Sequence, residues 1–205
     1  MTPSLRRQAL LAGILYLVTH VTSVLAVPAY AQGWIRAGVA LEFALAIGCV
    51  GTGVLLWRLL QEYAPTRALT FAVLRAVEAA VILAGTLPML ASAGAQGASG
   101  FAAGPAGALH TAAFLVGQGL VIGVNTVVLG WLLWDARILP RALAALGVAG
   151  GALVFASDLA QLWGAIPLNG VVAGIAAVPI FAFEIWLAVL LLIGRPWRGA
   201  PALAV

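Results

Sequence analysis

Ten polar side chains of kinds that move protons or hold ligands interrupt an otherwise apolar chain: His20, Glu42, Arg75, Glu78, His110, Gln118, Asn125, Asp158, Gln161 and Glu184. Four of them are carboxylic acids facing a single arginine. Like-signed carboxylates in a low-dielectric interior cannot all ionise. The expectation is that Arg75 keeps Glu78 ionised while at least one of Glu42, Asp158 and Glu184 stays protonated near neutral pH. A carboxylic acid held neutral in an apolar pocket is a competent general acid, and it is also what a proton-coupled transporter uses. Glu42, Asp158, Glu184 and His110 are therefore the candidate catalytic residues, and Arg75, Glu78, Gln118, Asn125, Gln161 and His20 the candidate substrate-binding walls.

Helical spacing argues that these groups converge. At 100° per residue, positions 110, 118 and 125 fall within an arc of about 80°. Tyr16, Thr19, His20 and Ser23 share one side, and Arg75 and Glu78, three apart, can pair on one face with Thr86 above them. Asp158 and Gln161 share a face with Gly147 and Gly151, a small-residue pair that permits close helix approach. Blander roles stand beside the chemical ones. Arg75–Glu78 suits an architectural ion pair, His20 a packed histidine, and Gln118, Asn125 and Gln161 the hydrogen-bonding glue between helices. Cys49, the one cysteine, reads as a small packing residue.

The elements that position these side chains follow from composition. Of 205 residues, 64% are hydrophobic and 8% charged, with a mean hydropathy of +1.13. Soluble domains are about 25% charged, so a water-soluble enzyme is excluded. Uninterrupted apolar length marks six spans in one domain covering 1–205, at approximately 8–29, 37–59, 68–91, 109–133, 142–164 and 171–194. The fold expected is an all-α integral membrane protein, a six-helix transmembrane bundle. Five charged residues inside the spans would cost roughly 12–17 kcal/mol against lipid, so they must turn inward and pair.

Arginine sets the expected orientation. Arg6, Arg7, Arg58, Arg67, Arg137, Arg141, Arg195 and Arg198 fall on one side if the helices alternate, and Arg36 on the other. Basic short loops mark the cytoplasmic face, so both termini are expected in the cytoplasm, with the protein in the inner (plasma) membrane. Trp57, Trp131, Trp134 and Trp197 then lie near the inner boundary, and Trp34 and Trp163 near the outer one. On this reading Glu42, His110, Asp158 and Gln161 sit in the outer half, around an apolar cavity with polar walls. The Gly/Ala/Ser-rich connection 92–108 reads as a flexible linker, with a lid over an outward-facing cavity as the alternative. Arg6-Arg7, an apolar run and Ala29-Tyr30-Ala31 imitate a cleavable signal peptide, but the run is long for one and carries a polar stripe, so it is read as the first span.

No H-x-x-x-H or E-x-x-H spacing, phosphate loop, dinucleotide fingerprint or nucleophile elbow occurs, so neither a metal nor a cofactor is expected. All ten basic residues are Arg, in scattered positions without interleaved aromatics, which is not a nucleic-acid footprint. The expected partners are the lipid bilayer and a lipophilic small molecule, with the oligomeric state left open.

Several short motifs occur in a telling order: Gly13-Ile14-Leu15-Tyr16-Leu17, Leu41-Glu42, Arg75-x-x-Glu78-Ala79, His110-x-x-x-Phe114-x-x-Gly117, Leu129-Gly130-x-Leu132-Leu133, Arg137-x-x-Pro140-Arg141, and Glu184 before a Leu-rich stretch. In these the chain resembles a bacterial membrane-protein family known as domain of unknown function 4386, with Trp134 where the family more often has Tyr. The resemblance spans nearly the whole chain. It implies a six-helix bundle, adds weight to Glu42, Arg75, Glu78, His110 and Glu184, and supplies no activity. Small multi-span terpene cyclases offer a looser analogy, as they too place carboxylic acids in a membrane cavity.

The function expected from the residues is intramembrane acid–base catalysis, cyclisation or isomerisation of an isoprenoid-like substrate. Phe114, Phe155, Phe181 and Trp186 would stabilise positive charge. A small proton-coupled transporter and a non-catalytic assembly or sensor subunit are the alternatives.

Overall fold

The computed structural model describes residues 3–93 and 104–194. Its elements are α1 (Pro3–Ala31), α2 (Ile35–Leu60), α3 (Pro65–Ala93), α4 (Pro105–Phe114), a π-helical segment (Leu115–Val121), α5 (Ile122–Ala136), α6 (Arg141–Leu162) and α7 (Val171–Ile193). Six helical stretches are long and apolar enough to cross a membrane, the fourth being the composite Pro105–Ala136. No strand occurs among the described residues.

Most helices overrun the apolar runs that announce them. The apolar stretch measures the part embedded in hydrocarbon, whereas helical backbone continues through the polar flanks. Proline opens α1, α3 and α4, a position where its missing N–H breaks no intrahelical bond. The sixth and seventh helices instead stop short of the expected ends, at Leu162 and Ile193, where Gly164 and Gly194 adopt left-handed φ of 69° and 62°. Arg137, with φ 54°, terminates α5.

Each span packs against the next in sequence, and α7 returns to α1, closing a ring. The terminal end, where α1 begins and α7 finishes, is solid. There Tyr16, Leu56, Phe71, Leu133, Phe183 and Leu187 belong to one continuous buried core. Arg6 clamps the closure, Nη1 donating to the Leu191 carbonyl (3.2 Å) and Nη2 to that of Leu192 (3.0 Å). The guanidinium satisfies carbonyls that a helix end leaves without partners. Gly194 both needs its left-handed backbone and leaves room for Arg6, which a Cβ there would strike.

Arg6, Arg7, Arg58, Arg67, Arg137 and Arg141 gather at this terminal end, and Arg36 lies at the distal end, beside the turn that joins α1 to α2. Arg195, Arg198 and Trp197, and most of the 92–108 connection, lie outside the described residues. Towards the distal end the ring is hollow, and its walls hold the polar groups.

Small residues set how closely the walls approach. A Cβ on Gly151 would lie 2.7 Å from the Gly123 carbonyl oxygen, and one on Gly130 would lie 2.7 Å from Val148 N, so α5 and α6 touch backbone to backbone. The Gly147/Gly151 pair is divided rather than shared. Gly151 faces α5, whereas Gly147 also receives the Phe183 ring from α7, because α6 is wedged between both neighbours.

Candidate functional site

Three polar clusters line or back the hollow half. The first joins α1, α2 and α4 at the distal end. Tyr30 Oη donates to Glu42 Oε2 (2.8 Å), and His110 Nε2 lies 2.8 Å from Glu42 Oε1. Tyr30 and His110 meet edge to face, 4.8 Å between ring centroids. Gly38, one turn before Glu42, makes this possible: its missing side chain is the space the Tyr30 ring fills, 2.5 Å from where a Cβ would stand.

The second cluster belongs to the end of α6. Gln161 Nε2 donates to Asp158 Oδ1, while Gln161 Oε1 accepts from the backbone N–H of Asn169 (2.8 Å). One glutamine thereby orients the acid and ties down the 163–170 turn. The other carboxyl oxygen of Asp158 presses on the π segment at Gly119, where a Cβ would approach within 2.7 Å. Ser157 Oγ beside it is buried and makes no hydrogen bond among the described residues.

The third cluster lies deeper, towards the solid end. Arg75 is 2% exposed. Its Nη1 donates to both Glu78 oxygens (3.0 and 3.2 Å), and its Nε and Nη2 donate to Thr52 Oγ1 (3.3 and 3.1 Å). Glu78 further accepts from Asn125 Nδ2 (2.7 Å) and from the Cys49 thiol (3.6 Å). Glu184 Oε1 stands 3.9 Å from Arg75 Nη1, and Glu184 Oε2 stands 3.5 Å from His20 Nε2. The buried pair is thus surrounded by the additional hydrogen bonds without which desolvation would outweigh Coulomb attraction.

Two adjoining cavities connect these clusters. The outer one, about 510 Å³, is walled mostly by apolar side chains and backed by Glu42, His110, Tyr30, Ser157 and Asp158. Its rim includes the exposed Val27, Ala31 and Gly174. The inner one, about 200 Å³, is lined by His20, Cys49, Arg75, Glu78 and Glu184 among others. Ser23, Leu45, Phe114, Gln118 and Ala177 border both. Ser23 Oγ donates to Gln118 Oε1 (3.1 Å) across the boundary.

The ten residues singled out by type are therefore partitioned. Glu42, His110 and Asp158 share the outer cavity, while His20, Arg75, Glu78 and Glu184 share the inner one, and Gln118 stands between. Asn125 and Gln161 line neither of these cavities and instead hold a carboxylate from behind. Thr86 stands apart from the Arg75–Glu78 pair and donates to the Leu83 carbonyl in its own helix. Of the four aromatics, Phe114 borders both cavities and the half-exposed Phe181 the inner one, whereas Phe155 and Trp186 line neither. Val154 and Asp158 take the inward face of α6, and Glu184 and Leu187 that of α7, which turns Phe155 and Trp186 outward.

Tyr30, Thr52 and the thiol of Cys49 were not marked by sequence as partners of the acids. Tyr30 carries a signal, a phenol just past the expected end of the first span, but reads as part of the cleavage-like Ala29-Tyr30-Ala31. Thr52 and Cys49, three apart on α2, share the face that meets Arg75 and Glu78.

Six apolar helices closed around a polar interior define a multi-pass membrane protein whose surroundings are a lipid bilayer. Within that class, the chain belongs to the family Domain of unknown function (DUF4386), whose profile matches residues 11–194. No curated protein and no solved structure matches the chain.

Proposed function

We propose that the outer cavity is the active site of an intramembrane acid–base enzyme acting on a lipophilic, isoprenoid-like substrate. One observation carries this reading: two carboxyl groups, Glu42 and Asp158, back a single apolar space of about 510 Å³, each held by its own hydrogen-bonding partners. That volume falls in the range of small-molecule sites, about 300–1,000 Å³. In the reaction, a protonated carboxyl donates its proton to an alkene or epoxide. The cation that forms rearranges, and the second carboxylate or His110 removes a proton, so no other reactant is consumed. Phe114, on the cavity wall, supplies the aromatic ring that stabilises the cation.

The test is turnover of a linear polyprenyl hydrocarbon, or its terminal epoxide, by the protein in liposomes, with products separated by mass and retention. Glu42→Gln and Asp158→Asn are expected to abolish product at normal expression. Full activity in both would sink the reading.

Stacking of the two cavities behind one side-chain hydrogen bond, Ser23–Gln118, favours a proton-coupled carrier as the second reading. It predicts proton movement into proteoliposomes, reported by a trapped pH-sensitive dye. Tolerance of every acid-to-amide change, with a partner protein retained on purification, would favour an assembly subunit instead.

The orientation proposed from the arginines puts both termini in the cytoplasm of a bacterial inner membrane. A cysteine placed at Arg7 should then resist impermeant thiol reagents in intact cells, while one at Trp34 should react; the reverse pattern would invert the topology.

A further inference from the structure

The inner cavity holds a polar atom with nothing to bond. His20 Nδ1 lies 2.9 Å from the Tyr16 carbonyl oxygen one turn earlier on α1. A carbonyl only accepts, so this nitrogen carries the ring proton and Nε2 of the neutral ring is an acceptor. Nε2 is buried and makes no hydrogen bond among the described residues, and His20 as a whole is 9% exposed. It faces Glu184 Oε2, a second acceptor, at 3.5 Å. With the ring neutral and the carboxyl ionised, two acceptors confront each other on the wall of an unfilled space of about 200 Å³.

Charge completes the specification. Arg75 and Glu78 on α3 neutralise each other at 3.0 Å, and Thr52 accepts from Nε and Nη2 of the same guanidinium. The other groups bordering the space, Thr19 and Ser23 on α1, Cys49 on α2 and Gln118 in the π segment, are neutral in their ordinary forms. Glu184 on α7 is therefore left with a formal negative charge and only a distant share of Arg75, at 3.9 Å. What fits is a single positive charge carrying at least two N–H donors.

We propose that the inner cavity binds the ammonium group of a lipophilic primary amine, its N–H groups donating to Glu184 Oε2 and His20 Nε2. Its hydrocarbon chain runs past Phe114 and Ala177, which border both cavities, into the larger apolar space beyond. This assignment goes beyond the acid–base reading and requires neither turnover nor Glu42 and Asp158. Inactive Glu42 and Asp158 variants and bound amine are thus separate results, and either can fail without the other.

The experiment uses the full-length protein in lipid nanodiscs. The probe is a labelled straight-chain primary amine, displaced by the unlabelled amine and by the trimethylated ammonium, alcohol and carboxylic acid of the same chain length. The amine is expected to bind about tenfold or more tightly than the alcohol, the size of a charge-assisted hydrogen bond. The trimethylated ion, which keeps the charge but has no N–H, should fall between them. In Glu184→Gln the preference for amine over alcohol should shrink to within about twofold, while Asp135→Asn at the terminal end keeps it. Equal binding of amine and alcohol to the unaltered protein would overturn the proposal, and indicates that a proton alone occupies the space. This comparison needs no variant, so it stands even where Glu184→Gln fails to fold. An unchanged preference in a folded Glu184→Gln protein would equally overturn it.

Discussion

His110 Nε2 rests 2.8 Å from Glu42 Oε1, although 68 positions separate the two residues in the chain. The contact joins α4 to α2 at the distal end, where the bundle is hollow and few apolar contacts hold those helices. Tyr30, bonded to the other oxygen of the same carboxyl, brings in α1. A side chain whose rotamer is fixed from two sides is oriented before any substrate arrives, which is what a proton-transfer group requires.

Tyr30→Phe separates orientation from packing. The ring that fills the space at Gly38 and meets His110 is kept, and only the hydroxyl bond to Glu42 is lost. Turnover is expected to fall by up to about a hundredfold, the lower end of what a positioned acid or base contributes. Thermal stability should hold. A large loss of stability with unchanged turnover would show the bond to be purely structural.

Arg75→Met should be among the most destabilising single changes in the chain. It leaves the Glu78 carboxyl buried with Asn125 and Cys49 as its remaining donors, and removing one member of a buried ion pair costs about 3–5 kcal/mol. The paired change, Arg75→Met with Glu78→Met, should recover much of that loss, measured by equilibrium unfolding in mixed micelles. Absence of recovery would mean that the Arg75–Thr52 bonds, rather than charge, hold this region.

Asp135→Asn supplies the contrast. Arg67 Nη1 lies 2.6 Å from Asp135 Oδ2, closer than any Arg75 contact, yet the two side chains are 30% and 46% exposed. Solvent screening limits such a pair to about 0–1 kcal/mol, so the unfolding midpoint should barely move. A shift comparable to that of Arg75→Met would show that this boundary region is far less hydrated than its exposure implies.

Gly151→Ala places a methyl group 2.7 Å from the Gly123 carbonyl oxygen and 2.9 Å from Val127 N, both backbone atoms. Neither can swing aside, so α5 and α6 must separate, at about 1–3 kcal/mol. Gly174→Ala, where a Cβ meets nothing within 4 Å, should be neutral by the same measurement. If the two behave alike, close α5–α6 approach is not a constraint on the fold.

Much of this was legible from residue type and spacing. Apolar length identified six spans, and the i,i+3 interval of Arg75 and Glu78 predicted a pair that the structure contains. Local spacing suffices where partners share a helix. It fails where pairing crosses the bundle, as with Thr52 and Arg75 or Ser23 and Gln118, because helix rotation and depth are set by packing rather than periodicity. The π segment at Leu115–Val121 is a second blind spot. Its composition is that of any apolar helix, and its wider turns advance by less than 100° per residue. The arc drawn through positions 110, 118 and 125 assumed an unbroken α-helix. His110 reaches Glu42 on α2, Gln118 reaches Ser23 on α1, and Asn125 reaches Glu78 on α3, at three successive depths.

The clamp of Arg6 on the last turn of α7 bears on how the protein is made. During synthesis α1 emerges long before α7, yet each supplies half of the His20–Glu184 contact and a wall of both cavities. A chain paused after α6 presents His20 to lipid with no Glu184 opposite it, and neither cavity exists. Assembly of the site therefore waits until α7 has been made and inserted. Until then the polar stripe of α1 has no facing wall from α7, an arrangement that is costly against lipid.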